Sequence, residues 1–96
     1  MNLGRKLFTV GNTTRYAVDY SQWLGEGVTL VSGTAVQLAP AVADIVISAV
    51  SVAPSGRLYY TLSGGSLNET FTIAVQITDS RSEIKNDSCS FLVVAP

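Results

Sequence analysis

Ninety-six residues hold a single domain with one core, and a second domain does not fit. Apolar residues make up 47% of the chain and charged ones only 14%, so part of the apolar surface is expected to be covered by neighbouring subunits. The formal net charge of −1 gives no overall attraction to nucleic acid, to a membrane surface or to acidic substrates, and none of these is an expected partner.

Taken in chain order, residues 1–14 read as an extended N-terminal arm. Arg5 and Lys6 form a basic pair, and Leu7, Phe8 and Val10 an apolar patch between flexible flanks at Gly4, Gly11 and Asn12. A lone short strand cannot bury itself, so the patch either pairs with the edge of the domain's own sheet or adds a strand to a neighbour. The second option suits an assembly protein. Arg5, Lys6, Leu7, Phe8 and Val10 are therefore the expected partner contacts, and the folded domain is expected to span residues 15–96. From Tyr16 the chain alternates, with Tyr16, Val18 and Tyr20 on one face. Asp19 and Ser21 then turn it so that Trp23, the only tryptophan, re-enters the apolar layer as a core anchor.

Val28 to Leu38 alternates with Val28, Leu30, Val36 and Leu38 on one face, and Gly33 marks a bulge or bend. Pro40 and a short linker lead to Ile45–Val52, which is β-branched and reads as a strand buried on much of both faces. Pro54-Ser55-Gly56 closes that strand, and the next run directs Leu58, Tyr60 and Leu62 inward before Gly64-Gly65 breaks it in what reads as a hairpin turn. Thr70–Thr78 is the clearest strand, with Phe71, Ile73, Val75 and Ile77 on one face. After a polar turn the last strand places Cys89, Phe91 and Val93 inward. The expected core thus includes Tyr16, Trp23, Phe71, Ile73, Val75 and Phe91. No helical periodicity persists for three turns, so the expected fold is all-β: an antiparallel, immunoglobulin-like β-sandwich of six to seven strands with the extended arm.

Histidine is absent, which removes the commonest general base and metal ligand and with them Ser-His-Asp and Cys-His catalysis. One cysteine, Cys89, permits no intramolecular disulfide and no zinc cluster. Asp79, Glu83 and Asp87 recur around the last turn, but Arg81 and Lys85 sit among them, so a solvated hairpin tip explains them better than a calcium site. Asp19 and Glu26 flank Trp23 without anything that organises them as an acid and a base. No enzymatic activity, cofactor or metal is expected. No stretch approaches 18 apolar residues, and the basic pair is followed by no apolar segment of signal-peptide type.

The order Tyr16, Asp19, Tyr20, Ser21, Trp23, Leu24, followed by Gly27-Val28-Thr29-Leu30 and Ser32, resembles the opening of the small fibre-tail adaptor proteins of tailed bacteriophages. Those proteins tend to read Tyr-x-x-Asp-Trp-Ser-x-Trp-Leu, so Tyr20 stands here where they carry a first Trp. Leu62-Ser63-Gly64-Gly65 and the strand Phe71 to Ser80 are similar to the family's closing segment. The resemblance covers roughly residues 14–94. It implies a structural virion protein made in the bacterial host cytoplasm, an adaptor joining tail fibres to the tail in several copies. Its implied partners are the fibre and other tail proteins, whether tail tube, nozzle or adaptor ring. Two other readings use the same fold: a carbohydrate-binding or adhesion module stacking Trp23, Tyr59 or Tyr60 on sugar rings, and a capsid decoration protein.

Overall fold

A computed structural model describes residues 2–39 and 41–96; Met1, at the head of the expected arm, and the linker residue Pro40 lie outside the described residues. Seven strands follow one another: β1 (Asn2–Thr9), β2 (Thr13–Asp19), β3 (Leu30–Gln37), β4 (Ile45–Ala53), β5 (Arg57–Gly64), β6 (Thr70–Asp79) and β7 (Ile84–Val94). They form two sheets, one ordered β1-β7-β6-β3 and the other β2-β5-β4. The sheets face each other as a sandwich. The order is compatible with immunoglobulin-like topology, in which the second, fourth and fifth strands group apart from the third, sixth and seventh.

Strict alternation makes β5, β6 and β7 the centre of the core. Leu58, Tyr60 and Leu62 from β5 meet Phe71, Ile73, Val75 and Ile77 from β6 and Cys89, Phe91 and Val93 from β7, all of them buried. Each such side chain contributes roughly 1.5–3 kcal/mol by leaving water. The rings interlock: Phe71 stacks on Phe91 at 5.1 Å between centroids, and Tyr16 meets Phe91 edge-on at 5.2 Å and stacks on Tyr60 at 5.7 Å. Tyr16 is half-buried against this cluster rather than enclosed by it.

Four features depart from the sequence reading. The segment expected to add a strand to a neighbour takes the other course open to it and is an edge strand of the domain's own sheet: β1 runs parallel to β7, with Lys6 opposite Phe91 and Phe8 opposite Val93. Phe8 is only 1% exposed and Val10 packs on the core, because the edge of β7 supplies backbone partners within the same chain. The four-stranded sheet is accordingly mixed, not wholly antiparallel. β3 changes phase at a register irregularity between Leu30 and Ser32, so Leu30 and Ala35 are buried whereas Val36 and Leu38 face outward. β4 is an edge strand with its own irregularity between Ser48 and Ser51; Ile45 is buried, but Val46 and Val50 are exposed, so burial on both faces does not occur.

The fourth departure is at Gly64-Gly65. β5 and β6 lie in different sheets, so these glycines carry a crossover between layers and not a hairpin turn. Gly64 has φ +87° and packs so tightly that an added Cβ would collide with the Asp44 carbonyl oxygen. Gly65 N–H donates to that same oxygen at 3.1 Å. Glycine is required here by both conformation and space.

Candidate docking surfaces

The β6–β7 hairpin is a closed polar structure. Asp79 ends β6 with its side chain buried, and its Oδ1 accepts from the Arg81 and Glu83 backbone N–H groups at 2.8 and 3.0 Å. Its Oδ2 accepts from Arg81 Nε at 3.0 Å and Nη2 at 2.7 Å. Burial pushes the Asp79 carboxyl up, but the hydrogen bonds from Arg81 and Glu83 outweigh it and hold the group below its ordinary value. Ser80 N–H donates to the Thr29 carbonyl at 2.8 Å, joining the hairpin to the loop before β3. Residues 80–84 are exposed, as expected of a solvated tip, but Asp79 departs from that expectation. Asp79 is a buried cap, since the turn itself brings four protein donors to one carboxylate.

Asp87 points inward from β7 and is buried. Its Oδ2 accepts from the Tyr20 hydroxyl at 2.7 Å, and Lys85 Nζ lies 3.3 Å from Oδ1. Desolvation raises the carboxyl, and the Tyr20 hydrogen bond and Lys85 together bring it below the ordinary range; burial in turn pushes the Tyr20 hydroxyl up. This pair ties the end of β2 to β7 across the sandwich. Among the described residues no group of three Cys, Asp or Glu side chains is placed to hold a metal ion. Sequence reasoning missed the Tyr20–Asp87 pair, and the signal available was Asp87 on the inward phase of Cys89 and Phe91.

The aromatic residues that would stack on a sugar do not form an exposed row. Tyr60 is buried, and the Arg15 guanidinium covers Tyr59 at 4.0 Å from its ring centroid. Trp23 is half-buried, edge-on to Tyr20 at 6.4 Å and with Arg81 5.8 Å from its ring centroid. The expectation of Trp23 as a core anchor is corrected in degree: it is only partly buried and packs against the core beside Tyr20 and Arg81.

Two surfaces remain for partners. Along the β1–β2 side, Arg5, Lys6 and Arg15 are all exposed, and Leu7 stands 65% exposed on β1. Of the five expected partner contacts, Arg5, Lys6 and Leu7 are accessible, while Phe8 and Val10 hold β1 to the core. A groove of about 580 Å³ crosses the outer face of the four-stranded sheet, with Thr70, Thr72 and Ser90 among its lining, Arg5 from β1 and Leu38 beyond β3. Thr72 Oγ1 and Ser90 Oγ lie 3.4 Å apart, so this face offers hydroxyls and few charges.

Comparison with known proteins bears on what these surfaces serve. The family model described as podophage GP4 fiber-tail adaptor protein gp77 matches residues 9–92. No curated protein matches the chain. A solved structure of similar fold is the 2,6-sialyltransferase of Photobacterium sp. JT-ISH-224, with a TM-score of 0.57 at 10% identity, covering 100% of this chain and 18% of that one. The chain spans less than a fifth of that enzyme's length, and the likeness is one of fold alone.

Proposed function

The chain belongs to the podophage GP4 fiber-tail adaptor family, and from that premise we propose that it joins tail fibres to the phage tail, in several copies per particle, as a rigid β-sandwich without chemistry of its own. The match over residues 9–92 carries this reading. The geometry supports it, because the buried carboxylates Asp79 and Asp87 are held by protein donors and serve the fold.

Arg5, Lys6 and Leu7 on β1, with Arg15 beside them, make the surface that meets an acidic region of one tail partner. Cations at a rim act mainly on association rate and orientation. The groove beside Arg5 extends that surface over the outer face of the sheet. A phage lacking this protein should assemble tails without fibres, restored when the protein is supplied from a plasmid. Fibre-bearing particles made in its absence would overturn the reading. Reversing Arg5 and Lys6 to Glu should leave the melting temperature nearly unchanged and strongly reduce incorporation into particles.

A further inference from the structure

The two flanks of the sandwich close differently. β3 and β4 pack against each other on one side, whereas β1 and β2, the edge strands of the other side, make no such packing. A cleft of about 180 Å³ lies there, lined by Lys6 of β1, Cys89 of β7, Tyr60 of β5 and the whole run from Tyr16 to Asp19. Because four consecutive residues of β2 line it, that strand turns its edge to the cleft as well as one face. Among the described residues, Thr13 to Asp19 make no backbone hydrogen bond outside the ladder with β5, so the edge presents a row of N–H and C=O groups open to another strand. Arg15, the charge that could guard it, is drawn back over Tyr59 of its own sheet.

The cleft also holds polar groups that the fold does not use. Tyr60 is 1% exposed, and neither its hydroxyl nor that of Tyr16 has a hydrogen-bond partner among the described residues. Burial pushes both hydroxyls up, so they stay protonated and can donate. Lys6 shares the inward phase of Phe8, yet it is exposed at the flank and forms no ion pair among the described residues. An inward lysine ordinarily guards an edge, which accounts for Lys6 but not for a buried phenol left without a partner.

We propose that an extended segment of the tail partner adds to the β2 edge and inserts an aspartate or glutamate side chain into the cleft, where Lys6, Tyr16 and Tyr60 receive the carboxylate. This deepens the adaptor reading and rests on it for the partner. In strand addition the main chain supplies affinity, and pockets for alternate side chains supply specificity. Three donors, one of them charged, replace the hydration that the carboxylate loses. A cavity of about 150 Å³ admits a molecule the size of benzene, so the cleft has room for one such side chain. Charge excludes a second copy as the occupant: β1, β3 and β4, the other edge strands, contain no aspartate or glutamate. Asp19, at the end of β2 and at the rim of the cleft, already accepts from the Ser21 N–H at 2.9 Å and lies opposite Arg57.

Sodium propionate titrated into the purified full chain should give saturable NMR shifts at Lys6, Tyr16 and Tyr60, and neutral propionamide should not. Tyr60→Phe removes a hydrogen bond to a charged acceptor and should weaken the propionate response about tenfold. The same variant should melt no lower than the wild type, since the hydroxyl has no partner to lose in the free protein, while its incorporation into particles falls. Hydrogen exchange without any substitution supplies an independent reading: amides of Arg15 to Asp19 should exchange more slowly in purified particles than in the free protein. A missing propionate response, a Tyr60→Phe chain that melts markedly lower or enters particles normally, or β2 exchange equal in the two states would each overturn the proposal. So would β2 protection that grows with the concentration of the free protein, which would make the occupant a second copy. None of these outcomes touches the adaptor reading, which falls only if particles lacking the protein carry fibres.

Discussion

Tyr20 and Asp87 show how one buried pair serves a small sandwich. The carboxylate is out of water yet remains charged, because a hydroxyl 2.7 Å away and a nearby ammonium replace its hydration. Tyr20→Phe removes one hydrogen bond to a charged acceptor and should lower stability by about 1.5–3 kcal/mol in urea unfolding. The pH dependence follows from the depressed carboxyls of Asp79 and Asp87. A carboxyl that is more acidic in the folded state contributes its full stabilisation above its unfolded value, near 4, and loses it as pH falls through the lower folded value. Melting temperature should therefore drop steadily below about pH 4, and Asp87→Asn should flatten that decline while lowering the neutral-pH plateau. Trp23→Ala should cost less than the roughly 3–5 kcal/mol of a fully enclosed Trp, since its ring is half-buried under Arg81. Its fluorescence should lie between that of a buried and a hydrated indole.

At the scale of elements, β1 is the strand whose role is most changed by tertiary structure. It contributes Phe8 to the core and a parallel ladder to β7. Phe8→Ala should destabilise by about 3–5 kcal/mol, and removal of residues 1–9 should lower the melting temperature clearly, as calorimetry would show. The β5–β6 crossover is equally constrained. Gly64→Ala places a methyl group on the Asp44 carbonyl in a backbone conformation that alanine resists, and should cost well over 1 kcal/mol. The backbone oxygen it meets has no flexible side chain to move aside. Cys89, by contrast, lies buried with its thiol pushed up by desolvation, so it should react slowly with thiol reagents in the folded protein and quickly in denaturant.

For the molecule as a whole, the sheet closes between the two ends of the chain, with Asn2 opposite Ser88 and Thr9 opposite Val94. Such remote pairing must overcome loop-closure entropy before it is rewarded, so stopped-flow refolding should fall in the millisecond-to-second range of all-β domains. Melting curves in calcium, zinc and chelator should coincide, because a ligand that bound only the folded state would raise its stability by mass action. A calcium-dependent rise would point to the hairpin from Asp79 to Asp87.

The pattern of side chains along β5, β6 and β7 was legible from the sequence alone, and so was the all-β class, because alternation between faces is a local property of an extended backbone. Phe71, Ile73, Val75 and Phe91 could be assigned to the core on that basis. β3 was misread at Val36 and Leu38 because the irregularity at Leu30–Ser32 reverses the phase, and Gly33 signals a bend without fixing where the extra residue sits. β4 was read as enclosed because Ile and Val serve a buried strand and a sticky edge equally well. β1 passed for an arm because its partner, β7, lies about 85 residues away, and Asp79 and Asp87 passed for solvent-facing acids because their partners are set by the turn and by Tyr20. The sequence by itself determined which residues alternate and where the chain turns. Only the tertiary structure decided which strands are neighbours and which edges stay open, since backbone hydrogen bonds between remote segments are nearly indifferent to side-chain identity.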